Sequence, residues 1–366
     1  MAAMLVLSES EVILAKSEVG LKKGTNLMHK TTPGPGFPSI FIRITIHTLF
    51  IFLWFSNSYA QSSGHPEVKA KRGDGIYNLL ERNGLPAGEY LNKFIQLNKS
   101  KLGPNNSLYE GRSYSLPVAT LYAEEPLFGK EHEKVRIQDR KLEGAVFYLV
   151  SGHGGPDPGA IGKIGKHRLT EDEYAYDVTL RLGRALLQHG AKVYFIIRDP
   201  KDGIRDDHYL KNRSDEYCYP HQKIPLDQNQ RLRQRAATVN ELYRKDPSAK
   251  YKRCIIIHVD ARNRHRNIDL FFYHYEKSKS GEQLADAMRH SMMENYKENQ
   301  PNRGYNGTVS SRRLYMLTRT NPTAVYIEMG NINHSRDQQR IIYPSNRQAL
   351  ADWLTEGIVK DYQSRQ

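Results

Sequence analysis

The chain has 366 residues, with 54 Lys and Arg against 40 Asp and Glu and a formal charge of +14 at pH 7. A mean hydropathy of −0.67 with a single apolar stretch excludes a multi-span membrane protein, and two cysteines exclude a small fold built on disulfides. With 39% hydrophobic and 26% charged residues the chain is globular in composition, and its charge favours a polyanionic partner: nucleic acid, a membrane surface or an acidic cell-wall polymer.

Residues 1–60 are read as a leader. Arg43 precedes the apolar run Ile44–Phe55, which is too short to span a bilayer comfortably, and Ser58-Tyr59-Ala60 follows it. The pattern predicts a secretory signal peptide cleaved after Ala60, with Met28 as the true start; an uncleaved anchor helix is the alternative. Secretion implies a periplasmic or extracellular location in the cell envelope, with no stable membrane span once the signal is removed. The polyanion is then envelope material rather than nucleic acid, and no RNA-recognition, zinc-finger or helix-turn-helix signature is present.

Residues 61–120 are read as a small α+β domain. Gly73-Asp74-Gly75 makes a turn, and Ile76, Leu79 and Leu80 recur at helical spacing up to a stop at Asn83-Gly84. A second helix is expected over 89–98, and Gly111–Pro117 closes the unit in extended form. The implied order is strand, helix, helix, strand. The segments Val68–Ile76, Leu91–Asn98 and Gly111–Pro117 resemble the LysM glycan-binding module, with Gly75 where that family usually has Thr. The resemblance implies a hold on glycan strands; a small domain without a ligand is the alternative.

Residues 121–142 are charged and irregular and are read as a linker. From 143 to 366 the pattern alternates. Strands are expected over 145–150, 192–197, 254–259, 270–275, 314–317 and 324–327, and helices over 170–188, 229–243, 282–296 and 346–362. Short buried strands alternating with helices predict an α/β fold with a mostly parallel central sheet flanked by helices. Cys218 and Cys254 have two readings, a disulfide formed in an oxidising compartment or, for Cys254 in its apolar run, a buried free thiol.

In an open α/β sheet, chemistry sits beyond the carboxyl ends of the strands. Ser151-Gly152-His153-Gly154-Gly155 follows the first strand, His258-Val259-Asp260 ends the third, and Glu328-Met329-Gly330 ends the last. Two imidazoles and a carboxylate converging on one edge suit a metal, and a hydrolytic zinc needs three protein ligands with one place left for water. Thr170 and Glu173 fit a capping box, which leaves Glu171 for the metal. Glu328 is the candidate proton carrier.

The residues Gly152-His153-Gly154-Gly155-Pro156-Asp157-Pro158-Gly159-Ala160-Ile161-Gly162, the helix Asp177–Leu186, Arg198-Asp199, the set Leu232, Arg235 and Asn240, His258-Val259-Asp260-Ala261 and Ile327-Glu328-Met329-Gly330 together resemble the zinc-dependent N-acetylmuramoyl-L-alanine amidases of bacterial cell walls. The resemblance covers residues 145–366. It implies zinc held by His153 and His258, Glu328 as catalytic acid/base, and peptidoglycan as substrate, cut between the lactyl group of N-acetylmuramic acid and L-alanine. Ala175 stands where the family has its ligand Glu, so Glu171, one turn earlier on the same face, is favoured as third ligand with Glu173 as the alternative. Arg235 and Asn333 are candidates for contacting substrate, Asn331 and His334 replace the family's usual Phe and Asn, and a polar insertion over 202–223 is placed to frame the substrate groove. Rival functions are a zinc carboxypeptidase or endopeptidase on stem peptides and a non-catalytic wall-binding protein. The sequence names no activating partner.

Overall fold

The computed structural model describes residues 65–118, 120–262 and 267–366, so the leader, its cleavage site and Met28 lie outside the described residues. In residues 65–118, β1 (Glu67–Lys69), α1 (Ile76–Arg82), α2 (Ala87–Leu97) and β2 (Ser113–Ser115) follow one another, and β1 pairs antiparallel with β2. The helices bury Leu79, Leu80, Tyr90 and Phe94 against Tyr114 of the ribbon. Asn98 is fully buried because it works as a clamp. Its amide donates to the carbonyls of Phe94 and Ser115 and its oxygen accepts from Ser115 N–H at 2.8 Å, which ties the end of α2 to β2.

Residues 120–366 form a separate compact unit. The stretch read as an irregular linker opens it with a hairpin, β3 (Tyr122–Glu124) and β4 (Lys134–Arg136). Its charges misled the sequence reading, because Leu127, Phe128, Val135 and Leu142 between them are buried in the main core. Next come β5 (Ala145–Ser151), the hairpin β6 (Ile161–Ile164) and β7 (His167–Thr170), α3 (Glu171–Gln188), β8 (Lys192–Phe195), and the short strands β9 (Ile197–Arg198), β10 (Tyr217–Cys218) and β11 (Gln222–Lys223). The chain continues through α4 (Gln228–Lys245), β12 (Tyr251–Asp260), β13 (Phe271–His274), α5 (Lys279–Asn299), β14 (Thr308–Ser311), α6 (Tyr315–Arg319), β15 (Thr323–Asn331), α7 (Ser335–Ile342) and α8 (Pro344–Gln363).

Six strands form one sheet in the order β14-β13-β15-β12-β5-β8. All neighbours pair parallel except β13 with β15. The inner strands are apolar throughout because both faces are covered. Side chains alternate between the faces. Phe147, Leu149, Ile255, Ile257, Val325 and Ile327 pack toward α3, α5 and α8. Tyr148, Val150, Cys254, Ile256, Ala324 and Tyr326 pack on the other side with α4 and α6. The expected architecture is the observed one, a mostly parallel sheet flanked by helices.

Two local readings differ, and of the two offered for the cysteines the buried free thiol is the one observed. The segment expected as a strand at 314–317 belongs to α6, where the Thr318 and Thr320 hydroxyls bond back to the Leu314 and Met316 carbonyls; a four-residue apolar run does not separate strand from buried helix. Cys218 and Cys254 are buried free thiols, each shielded in the second core. Thr170 holds the N-cap position of α3, but its side chain caps no N–H there, so the capping box is not formed.

Candidate metal centre

The carboxyl ends of β5, β12 and β15 meet at one edge of the sheet. After β5 the backbone turns sharply: His153, Gly154 and Gly155 have φ of +58°, +93° and +63°. Glycine takes that conformation without penalty, while His153 is held there at a cost of order 1 kcal/mol. The turn aims the His153 ring back over the sheet, its centroid 5.0 Å from that of His258. His258 stacks on Tyr326 of β15 at 4.4 Å, and stands in register beside Glu328. Glycine is needed around them. A Cβ on Gly159, itself at φ +66°, would lie 2.6 Å from His153 Cδ2 and 2.8 Å from Glu171 Oε2.

Glu171, the first residue of α3, closes the cluster. One ligand atom from each of His153, Glu171 and His258 lies within 4.8 Å of the others, and all three side chains are buried. His153 Nε2 is 3.1 Å from Glu171 Oε2, and His258 Nδ1 is 2.8 Å from Oε1. The same carboxylate accepts the N–H groups of Ala160 and Val259 at 2.8 and 2.9 Å. Burial opposes its ionisation, yet the two imidazoles outweigh it and hold the carboxyl well below the usual range.

Glu328 behaves in the opposite way. It is 3% exposed, and its Oε2 has no hydrogen-bond partner among the described residues. Burial first, then the negative charges of Asp260 and Glu171, push its pKa well above the ordinary value. Two carboxyls in one site thus carry opposed shifts, Glu171 toward the anion and Glu328 toward the neutral acid.

Glu173 lies elsewhere. Its carboxylate pairs with Arg205 at 2.7 Å and accepts Arg213 N–H at 2.6 Å. Arg205 and Arg213 belong to the insertion over 202–223, which Asp177 and Arg347 also fasten, by bonds to the backbone of Arg205 and Asp207. The insertion reaches the His153 loop through Glu216, whose Oε2 accepts Gly155 N–H at 2.7 Å. Arg235 is buried and donates to the His153 carbonyl, so it shapes the loop that carries a candidate ligand. Asn333 donates to the Arg262 carbonyl and its N–H is held by Asn331.

Asp157 carried no role in the sequence reading although it stands in the glycine-rich motif. Its Oδ2 lies 2.9 Å from His153 Nδ1 and accepts from Arg231 at 2.6 Å. Burial works against its charge, but His153 and Arg231 hold the carboxyl well below the usual range. A carboxylate behind an imidazole fixes the tautomer and leaves the other ring nitrogen for a metal. If the cluster holds a metal, Asp157→Asn should weaken its affinity about 10- to 100-fold with the fold retained. Competition with a chelating dye measures it, and unchanged affinity would remove Asp157 from the account. Arg231 had no signal in the sequence, since only the fold brings α4 to that loop.

Asp172, Glu173 and Glu216 form a second buried carboxylate group behind the centre. Burial, then the charges of Glu173 and Glu216, push Asp172 up to about 8. Burial, with Glu173 and Asp199 adding to it, pushes Glu216 up to about 7. A carboxyl with a raised folded pKa binds more protons folded than unfolded, so its contribution is fully present below the unfolded pKa and is lost as pH rises toward the folded one. Glu216→Gln should match the wild type in thermal melts at pH 4 to 5 and exceed it at pH 8, by on the order of 2 kcal/mol. Parallel curves at both pH values would contradict this.

Residues 148–360 match the family model described as N-acetylmuramoyl-L-alanine amidase. The chain is similar to the germination-specific N-acetylmuramoyl-L-alanine amidase of Bacillus subtilis (strain 168), 23% identical over 230 residues that cover 60% of this chain and 80% of that protein. Among solved structures it is similar to N-acetylmuramoyl-L-alanine amidase AmiC2 of Nostoc punctiforme, with 20% identity, a TM-score of 0.43 and coverage of 61% of this chain and 99% of that one. It is also similar to the CwlD amidase from Clostridioides difficile in complex with the GerS lipoprotein, with 18% identity, a TM-score of 0.44 and coverage of 61% and 100%.

Proposed function

The chain belongs to the N-acetylmuramoyl-L-alanine amidase family, and from that premise we propose that its peptidoglycan amidase activity depends on zinc held by His153, Glu171 and His258. The observation that carries the proposal is the convergence of those three donors within 4.8 Å. Two imidazoles and an anionic carboxylate suit zinc and leave room for water, and Asp157 fixes the His153 tautomer from behind. When bound, zinc supplies positive charge that polarises the amide carbonyl and makes water more acidic.

The chain's own residues do the rest. Glu328, beside His258 on the neighbouring strand, in its ionised form takes one proton from the water as its oxygen adds to the lactyl carbonyl carbon. The carbon–nitrogen bond then breaks, and Glu328 delivers that proton to the alanine nitrogen as it leaves. The products are a glycan bearing a lactyl carboxylate and a stem peptide with a free amino terminus. The apolar walls around His258, built from Val150, Ile256, Leu314 and Tyr326, restrict water near that proton path.

The small unit of residues 65–118 supports a second element of the proposal, a LysM-like hold on glycan that raises the enzyme's concentration at its substrate. Its strand, helix, helix, strand order and antiparallel closure favour that reading. The signal-like leader favours action in the cell envelope; among the described residues no helix is long and apolar enough to cross a membrane. Mass spectrometry of digested peptidoglycan tests the reaction. The expected products are peptide-free glycan and intact stem peptides beginning with L-alanine, whereas shortened stems on intact glycan would assign a peptidase instead.

A further inference from the structure

A cavity of about 460 Å³ opens where the end of α5 meets α7 and α8, and none of the metal-centre residues lines it. That volume suits a small ligand. Its walls are formed by the rings of Tyr296 and Trp353, which meet edge to face at 5.0 Å. Three guanidiniums line it, those of Arg303, Arg336 and Arg340, and among the described residues no acidic one does. Asp269 and Asp337, outside the lining, answer Arg303 and Arg340. Arg336 is exposed at the rim and makes no ion pair among the described residues, so these residues leave the cavity a net positive charge. Gln300, Asn302 and Gln339 add amide groups.

We propose that this cavity binds an anionic N-acetylated amino sugar, and specifically a muramic acid residue freed of its peptide. A pyranose presents an apolar C–H face, which aromatic rings such as Trp353 take up, and hydroxyls that planar amides bond. A lactyl carboxylate adds one negative charge matched to Arg336, whose fork binds carboxylates bidentately. The ligand is the glycan product of the reaction above, so the inference rests on the amidase reading. The site would keep the enzyme on strands it has already stripped. Its floor is rigid, because Arg340 bonds both the Met329 carbonyl and Tyr296.

The sequence holds two tryptophans, Trp353 and Trp54 of the leader, which makes intrinsic fluorescence a local probe. The full chain is titrated with N-acetylmuramic acid, N-acetylglucosamine, D-lactate and the acidic dipeptide L-alanyl-γ-D-glutamate. A saturable change with N-acetylmuramic acid, weakened about tenfold or more in Arg336→Ala and absent in Trp353→Phe, is expected. Arg336→Ala should cleave a soluble muramoyl peptide at the wild-type rate. An equal response to N-acetylglucosamine, a response to the dipeptide alone, or no response would each overturn the site. If Trp353 is silent while muramoyl peptide is cleaved, the site fails and the amidase reading stands. If Trp353 responds while no muramoyl–alanine bond is cut, the cavity remains a sugar site and the amidase reading fails.

Discussion

Replacing Glu328 by Gln is expected to lower turnover of muramoyl peptides by roughly 10³-fold, within the range general acid–base groups supply, while zinc content and melting temperature hold. The reason lies in the charge balance around that carboxyl. It is buried, faces Asp260 and Glu171, and is pushed toward its neutral form. An amide of the same shape therefore costs the fold little, and it removes an unfavourable charge at high pH. It cannot, however, accept and return a proton. Zinc analysis, circular dichroism melts and a muropeptide assay on one preparation separate these effects. Normal turnover by the variant would take Glu328 out of the mechanism, and loss of zinc would make it a ligand instead.

Glu171→Ala is expected to be more damaging still, because that carboxylate does two jobs. It offers the only anionic oxygen in the donor set of His153, Glu171 and His258. Its loss should weaken zinc by well over the 100-fold seen for groups behind a ligand. It also accepts the buried N–H groups of Ala160 and Val259. Leaving those unpaired costs about 1–3 kcal/mol each, so the variant should also melt several degrees lower. Glu173→Gln is the matched comparison. Its partners are Arg205 and Arg213 of the insertion, so it should keep zinc and loosen only the insertion. If Glu173→Gln lost zinc and Glu171→Ala kept it, the two residues would exchange roles.

The sheet was legible because its inner strands are buried on both faces, and apolar runs such as 254–257 announce that directly. The positions of His153, His258 and Glu328 were legible for the same reason: each ends or follows such a run. The choice of Glu171 rested in part on a capping box that does not form, and in part on its place one turn before Ala175 on the same helix face. The structure brings Glu171 to the imidazoles through β7, which leads directly into α3, and draws Glu173 away through Arg205. The linker reading failed because charges at 121–142 hid four buried side chains that pack only once the main sheet exists. Asp157 with Arg231, and Glu216 with Gly155, pair residues 74 and 61 positions apart. No local pattern encodes such pairs, because Asp157, Arg231 and Glu216 each read alone as an ordinary surface charge and Gly155 takes part through its backbone N–H.

Cleavage of the muramoyl–alanine bond is proposed to depend on one divalent cation, gripped by residues from β12, the loop after β5 and the start of α3. Zinc analysis paired with muropeptide turnover, on wild type and on His153→Ala, tests it most directly. The expected result is close to one zinc per chain and full turnover in the wild type, with turnover lost on chelation and restored by zinc, and neither metal nor turnover in His153→Ala. Full turnover by metal-free wild type, or by His153→Ala, would contradict it.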